Sequence, residues 1–277
     1  MTPDQYCQQK AAASGSSFYY SFLFLPPERR RAITALYAFC REVDDAVDEA
    51  SDAQRAAVKL AWWRAEIANL CAGKPQHPVT RALEPFKDRF AVSPERLSEI
   101  IDGMEMDLTQ TRYLDWPGLE RYCYRVAGVV GMLAAGIFGY CDARTLQYAK
   151  ELGIAFQLTN IIRDVGEDAR KNRIYLPMAD LKEHGVPAAD ILQSRESDEF
   201  RSLMRYEAGR ARQHYRQALE LLPAADRKAQ RPGLIMAAIY RALLEEIERD
   251  GFRVLTQRTS LTPLRKLFIA CRTWLAA

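Results

Sequence analysis

Along almost the whole chain, apolar residues return at intervals of three and four, the spacing that lines one face of an α-helix. Pro26-Pro27 opens a long helix from about Glu28 to Ala50, because proline is tolerated only in a helix's first turn. A second helix runs from about Ala53 to Ala72 and stops at Gly73-Lys74-Pro75. Ser93 before Pro94 reads as an N-cap with proline at the first helical position, starting a helix that reaches about Thr111. Further helices are predicted at about Gly118–Tyr140 and Ala143–Lys171, the second capped by Asp142. After Ile174-Tyr175-Leu176-Pro177 come a short helix near Met178–His184 and longer ones near Asp198–Leu222, Gly233–Asp250 and Pro263–Leu275. Only the stretch around Phe252–Thr259 has strand character, and hairpin signals are missing. No linker or internal repeat divides the sequence, so the expectation is one all-α domain over residues 1–277.

Composition narrows the function classes. With 39 basic and 36 acidic residues the net charge is +3. That mild excess suits an anionic substrate or a weak attraction to an anionic lipid surface, and no basic run is dense enough for nucleic acid. Six cysteines stand without CxxC pairing, and there are only three histidines, so a zinc site is not expected. The polar N-terminus MTPDQYCQQK has no signal-peptide core, which together with reduced thiols points to the cytoplasm. The longest uncharged stretch, VAGVVGMLAAGIFGYC at residues 126–141, falls short of the ~20 residues that span a bilayer and is dense in Gly and Ala. It reads as a tightly packed core helix.

Two stripes of polar residues carry the chemistry. Tyr37, Arg41, Asp44 and Asp48 follow one another at steps of four, three and four, so they line one side of the first long helix, with Asp45 turned about 100° away. Gly153, Gln157, Asn160, Asp164 and Asp168 form a second such line, on a helix otherwise covered by Ile154, Phe156, Leu158, Ile161, Ile162 and Val165. Amide and carboxylate groups on a largely buried helix are costly unless paired or coordinating a metal. Gly153, one turn above Gln157, is expected to leave room for something bulky. Two Asp-x-x-x-Asp helices facing each other across a cavity would hold Mg²⁺ on a diphosphate and promote its departure as a leaving group. The allylic cation left behind needs an apolar, aromatic pocket that excludes water. Phe18, Phe22, Val126, Val130, Gly131, Ala134, Phe156 and Tyr240 are candidates for its walls.

The segments SFYYSFLFLPPERRRAITALYAFCREVDDAVDE, GMEMDL, YCYRVAGVVG and QLTNIIRDVGEDARKNRIYLP resemble the signature segments of the squalene/phytoene synthase family, in that family's order. LAWWR and HPVTRAL extend the likeness over most of the chain. The wording of the first segment most resembles the bacterial presqualene diphosphate synthases of hopanoid pathways. The resemblance implies an isoprenoid synthase fold with a central cavity, and head-to-head joining of two prenyl diphosphates through a cyclopropylcarbinyl diphosphate. It implies Mg²⁺ at Asp44, Asp48, Asn160, Asp164 and Asp168, with Tyr37 and Arg41 in the catalytic group. Substrate-binding positions would be Ser17, Phe18, Tyr122, Val126, Gly131, Gln157, Arg163, Arg173, Tyr175 and Tyr240. A C-terminal family arginine corresponds to Arg258 or Arg253, and Arg173 and Tyr175 fall in the family's flap over the site. Gly15 departs from the family, whose members often carry a polar residue there.

The leading expectation is condensation of two farnesyl diphosphates to presqualene diphosphate. The alternatives are a phytoene synthase acting on geranylgeranyl diphosphate and an NADPH-dependent squalene synthase. Eukaryotic squalene synthases carry a C-terminal membrane anchor, which is not expected after Leu275-Ala-Ala. The expected partners are the prenyl diphosphate and, peripherally, the inner face of a membrane. A binding protein that kept the fold without catalysis would be expected to have lost aspartates, and both motifs are intact. A His-Asp phosphohydrolase would need His-Asp pairs that the sequence lacks.

Overall fold

Helix starts follow the local chemistry of their first turns. The computed structural model describes residues 1–13, 21–22, 24–50 and 52–276. The first two helices are α1 (Pro3–Ala13) and α2 (Pro27–Asp48). Next come α3 (Ala53–Cys71), α4 (Pro78–Leu83) and α5 (Pro94–Thr109). Asp52, Ser93 and His77 cap the last three, each side chain accepting from a backbone N–H of the first turn. The helix α6 (Trp116–Cys123), capped by Asp115, passes through a π-helical turn at Tyr124–Gly128 into α7 (Val129–Phe138). Gly139, at φ 89°, ends α7 in a conformation that side chains disfavour. The longest helix, α8 (Arg144–Arg170), is followed by α9 (Met178–Glu183), α10 (Ala188–Leu192) and α11 (Asp198–Leu221). The chain closes with α12 (Arg231–Arg249) and α13 (Pro263–Ala276). Asp142 does accept from the Arg144 N–H at 2.9 Å, as its position before α8 predicts.

Among the described residues there is no strand, only one isolated parallel bridge between Arg112 and Ile174. The stretch around Phe252–Thr259, given strand character by its sequence, is irregular. Gly251 and Phe252 both take positive φ, 73° and 57°, and turn the chain sharply after α12. The carbonyl of Val254 then accepts the Gly166 N–H at 3.2 Å, and a Cβ at Gly166 would stand 2.3 Å from the Leu255 carbonyl oxygen. A glycine in α8 thus lets this segment cross at backbone distance, which brings Arg258 to Asp164 of α8.

The core lies in two apolar clusters. One is built on α1–α5 and α7, the other on α6 and α8–α13, and Val126 of the π-turn packs against both. α8 is central: it packs on α11, α7, the π-turn and α12. α1, whose polar sequence gives no amphipathic signal, is docked by buried Cys7 and by Tyr6 and Lys10. The Tyr6 hydroxyl donates to Glu42 at 2.6 Å, and Lys10 pairs with Glu42 and Asp45 at 3.0 and 2.8 Å. No helix among the described residues is long and apolar enough to cross a membrane, and all six cysteines are free.

Candidate active site

A cavity of about 500 Å³ lies between α2, α7, α8 and α12. Each helix contributes one face: Ile33, Leu36, Tyr37, Cys40, Arg41 and Asp44 from α2, and Tyr148, Leu152, Phe156, Gln157, Asn160 and Arg163 from α8. The steps of three and four are those of a single helical stripe. Polar groups gather at one end, where Arg41, Asp44, Asn160, Arg163, Arg258 and Lys266 meet, while the interior is aliphatic and aromatic. The Phe156 and Tyr240 rings pack with centroids 4.8 Å apart just inside that end. Tyr37, Tyr122, Val126, Gly131, Gln157, Arg163, Tyr240 and Arg258 all line the cavity as the sequence led one to expect, and so do Phe22, Val130, Ala134 and Phe156. Ser17 and Phe18 lie outside the described residues.

The aspartates are held by cations. Arg41 donates to Asp44 and Asp45, each at 2.7 Å, so Asp45 is coupled to the stripe that its 100° offset seemed to exclude it from. Its other partner is Lys10, and it does not line the cavity. Asp48 receives Lys171 at 3.0 Å and Arg173 at 3.4 Å, both from the segment just after α8. Asp164 receives Arg163 and Arg258, each Nε at 2.8 Å. Of the two arginines that spacing left open, Arg258 reaches Asp164, whereas Arg253 pairs with Asp250. Among the described residues no hydrogen bond or ion pair within 4.0 Å reaches the Asp168 carboxylate.

Asp107, in the GMEMDL segment of α5, was not assigned a role from the sequence. Its buried carboxylate accepts from the Tyr122 hydroxyl at 2.9 Å and the Tyr175 hydroxyl at 2.8 Å, and Arg173 reaches its backbone carbonyl at 3.4 Å. A carboxylate flanked by Met104, Met106 and Leu108 on a helix is the sequence signal that could have found it. Burial pushes Asp107 up to about 6, despite its tyrosine partners. Burial also lifts Asp44 to about 6, against Arg41 and with help from the Asp48, Asp45 and Asp107 charges. Asp168 rises to about 7 through burial, then through the nearby Asp164. Asp107 raises both Asp44 and Asp168, so it stands electrostatically between the two motifs. Burial works against the Asp164 charge too, but Arg163 and Arg258 outweigh it and hold this carboxyl below the usual range.

Two expectations need correction, that for Gly153 and that for Arg173 and Tyr175. Gly153 does not leave room for a ligand: a Cβ there would lie 2.3 Å from the Ala127 carbonyl oxygen, so its space is filled by the π-turn backbone. Gly131 lines the cavity, yet it too is a crossing point, where a Cβ would lie 2.3 Å from the Ala149 carbonyl oxygen. Arg173 and Tyr175 line no part of the cavity. Their segment is pinned behind the aspartates, with Ile174 N–H donating to Thr111 at 3.0 Å and Met178 N–H to Tyr113 at 2.8 Å. The π-turn that Gly153 admits carries Val126 and Ala127 to the cavity wall, a use of π-helical geometry common at functional sites.

The donor set fits Mg²⁺. Carboxylate oxygens on two helices are hard ligands, and Asn160 Oδ1, buried at the polar end, has no hydrogen-bond partner among the described residues. No three acidic, His or Cys side chains among the described residues converge on one point. Magnesium usually takes only one or two protein carboxylates and leaves its other positions to water and phosphate, so divided pairs suit it.

Comparison with known proteins agrees with this geometry. The squalene/phytoene synthase family pattern matches residues 11–265. Phytoene synthase 3 of Zea mays is 36% identical over 97% of this chain, which spans 65% of that longer protein. The 15-cis-phytoene synthase of Synechocystis is 35% identical over 98% of the chain and 84% of its own length. Among solved structures, a dehydrosqualene synthase superposes with a TM-score of 0.90 at 28% identity, covering 99% of this chain and 96% of that one. The fold is therefore the all-α isoprenoid synthase fold, and the chain belongs to the squalene/phytoene synthase family.

Proposed function

We propose that the chain joins two allylic prenyl diphosphates head to head, and that its substrate is geranylgeranyl diphosphate, with phytoene as product. The observation that carries the reading is a deep apolar cavity whose charged wall carries Asp44, Asn160, Arg41, Arg163 and Arg258, with Asp164 held just outside the lining by Arg163 and Arg258. Chain length is supported by depth. From Arg163 to Tyr148, both lining the cavity, α8 advances about 22 Å. An extended chain gains roughly 1.2 Å per bond, so a C20 prenyl group reaches ~18 Å and a C15 group ~13 Å. The longer substrate fits that depth with its diphosphate at the charged end. Plant and cyanobacterial relatives named as phytoene synthases favour the same choice over the farnesyl reading that led the sequence analysis.

Bound Mg²⁺, held by Asp44, Asp48, Asn160, Asp164 and Asp168, would neutralise the diphosphate leaving group. Arg41, Arg163 and Arg258 take the phosphate oxygens, exchanging their present aspartate partners for a more highly charged diphosphate. The donor's C1–O bond breaks, its electron pair leaving with diphosphate. The acceptor's 2,3 double bond attacks C1, and loss of a proton from that carbon closes the cyclopropane. The C–O bond of this cyclopropylcarbinyl diphosphate then breaks, the second diphosphate leaving with the electron pair, and ring rearrangement ended by loss of a second proton gives phytoene with no reductant. Phe156, Tyr240 and Tyr37 line the wall beside this step, where aromatic faces stabilise a cation and exclude water. Released diphosphate and the Tyr37 oxygen are the two candidates for the base.

The rival is farnesyl diphosphate condensation, favoured by the close superposition on a dehydrosqualene synthase. Purified protein with Mg²⁺ and each prenyl diphosphate, with and without NADPH, separates them by mass spectrometry. A C40 hydrocarbon from the C20 substrate, unaffected by NADPH, is expected. Presqualene alcohol after phosphatase treatment of a C15 reaction, with no C40 product, would overturn the choice of substrate.

A further inference from the structure

The end of the cavity away from the charges is closed where α8 meets the start of α12. Tyr148 is 1% exposed there and lines the cavity, as do Gln230, Pro232 and Gly233. Its hydroxyl end abuts Gly233: a Cβ at that glycine would lie 2.6 Å from the tyrosine oxygen and 3.6 Å from Cζ of the ring. The seat itself is fixed. Gln230 Nε2 donates to the carbonyls of Ala135 at 3.2 Å and Gly139 at 2.9 Å, tying the start of α12 to the last turn of α7. The Tyr148 hydroxyl has no hydrogen-bond partner among the described residues, so the ring is held by packing and not by a polar bond.

We infer that Tyr148, resting on Gly233, is the stop that sets the longest prenyl chain this protein accepts. The inference rests on the reading that the tail runs inward along α8 from the charged end. The α8 face lining the cavity begins at Arg163 and ends at Tyr148, so the ring is the first obstacle to a tail longer than C20. One more isoprene unit adds four main-chain bonds, ~5 Å, about the reach of a tyrosine side chain beyond its Cβ. Removing the ring therefore opens room for one unit. Adding a methyl at Gly233 displaces the ring from its seat, and with α12 behind it the ring moves into the cavity and shortens it.

The test is competition among C15, C20 and C25 prenyl diphosphates, with kcat/KM and product masses measured for wild type, Tyr148→Ala, Tyr148→Phe and Gly233→Ala. Tyr148→Ala should raise the C25-to-C20 ratio of kcat/KM at least about ten-fold, the low end of what a few methylene groups are worth in an apolar pocket. Gly233→Ala should shift the C20-to-C15 ratio toward C15. Tyr148→Phe keeps the ring and should keep the wild-type cut-off. The inference is overturned if the ratios of folded Tyr148→Ala and Gly233→Ala both stay within about two-fold of wild type. Should Tyr148→Ala fail to fold, Gly233→Ala alone decides by the same criterion. If wild type accepts only C15, the substrate proposed above is wrong, and a gain of C20 use in Tyr148→Ala still judges the stop separately.

Discussion

Replacing Asp168 by asparagine should stabilise the protein at neutral pH while removing its response to metal and diphosphate. Its carboxyl moves from the ordinary 3.8 to about 7, driven by burial and by Asp164. Because the folded value lies above the unfolded one, the fold favours the protonated form. The stability tied to this group is therefore full below pH ~4, falls as pH rises, and is lost above pH ~7. A shift of about three units corresponds to ~4 kcal/mol at 1.36 kcal/mol per unit. Partial solvent access and the coupling to Asp164 and Asp107 reduce the expected effect to about 2 kcal/mol. For a chain of this size that is about 3 °C in melting temperature. Melting curves of wild type and Asp168→Asn in metal-free buffer, from pH 4 to pH 8, provide the measurement. The difference should be near zero at the acid end and grow to its plateau above pH 7, with the variant more stable. A difference independent of pH, or a less stable variant at pH 8, would refute the account of Asp168 as an unpaired, half-buried carboxylate.

Three other outcomes test separate parts of the site. Under the proposed function, in which both aspartate pairs and the arginines would engage one cluster, Mg²⁺ and pyrophosphate together should raise the melting temperature by more than the sum of their separate shifts; strictly additive shifts in calorimetry count against a shared site. Arg258→Ala, which removes a 2.8 Å partner of Asp164, should lower kcat/KM by at least about ten-fold, whereas Arg253→Ala should leave it near wild type; equal losses would contradict the assignment. Gly153→Ala should destabilise the fold by about 2 kcal/mol or more, because its Cβ would sit 2.3 Å from the Ala127 carbonyl oxygen, and an unchanged melting temperature would show that α8 and the π-turn are not in fixed contact.

The sequence by itself determined what is periodic and local. Helix spans and caps follow from neighbours within one turn, so Pro27, Ser93 and Asp142 mark starts that the structure keeps within a residue or two. The two polar stripes are likewise arithmetic on single helices, which is why Tyr37, Arg41, Asp44, Gln157 and Asn160 all reach the cavity wall. α1 carries no such signal: it has no apolar face, and buried Cys7, the contacts of Tyr6 and Lys10 with Glu42 and Asp45, and the Asp4–Arg31 pair hold it in place. The tertiary structure alone decided which groups meet. Arg258 and Asp164 are 94 residues apart in sequence, Tyr175 and Asp107 are 68 apart, and Lys171 and Asp48 are 123 apart. No periodicity within a helix encodes such pairs. It also decided what the glycines are for, since Gly153 shows the same absence of a side chain whether a ligand or a neighbouring carbonyl fills the space. Cavity depth, and with it the chain length of the substrate, depends on where α8 meets Gly233 of α12, a contact between helices whose positions are fixed only when the whole core packs.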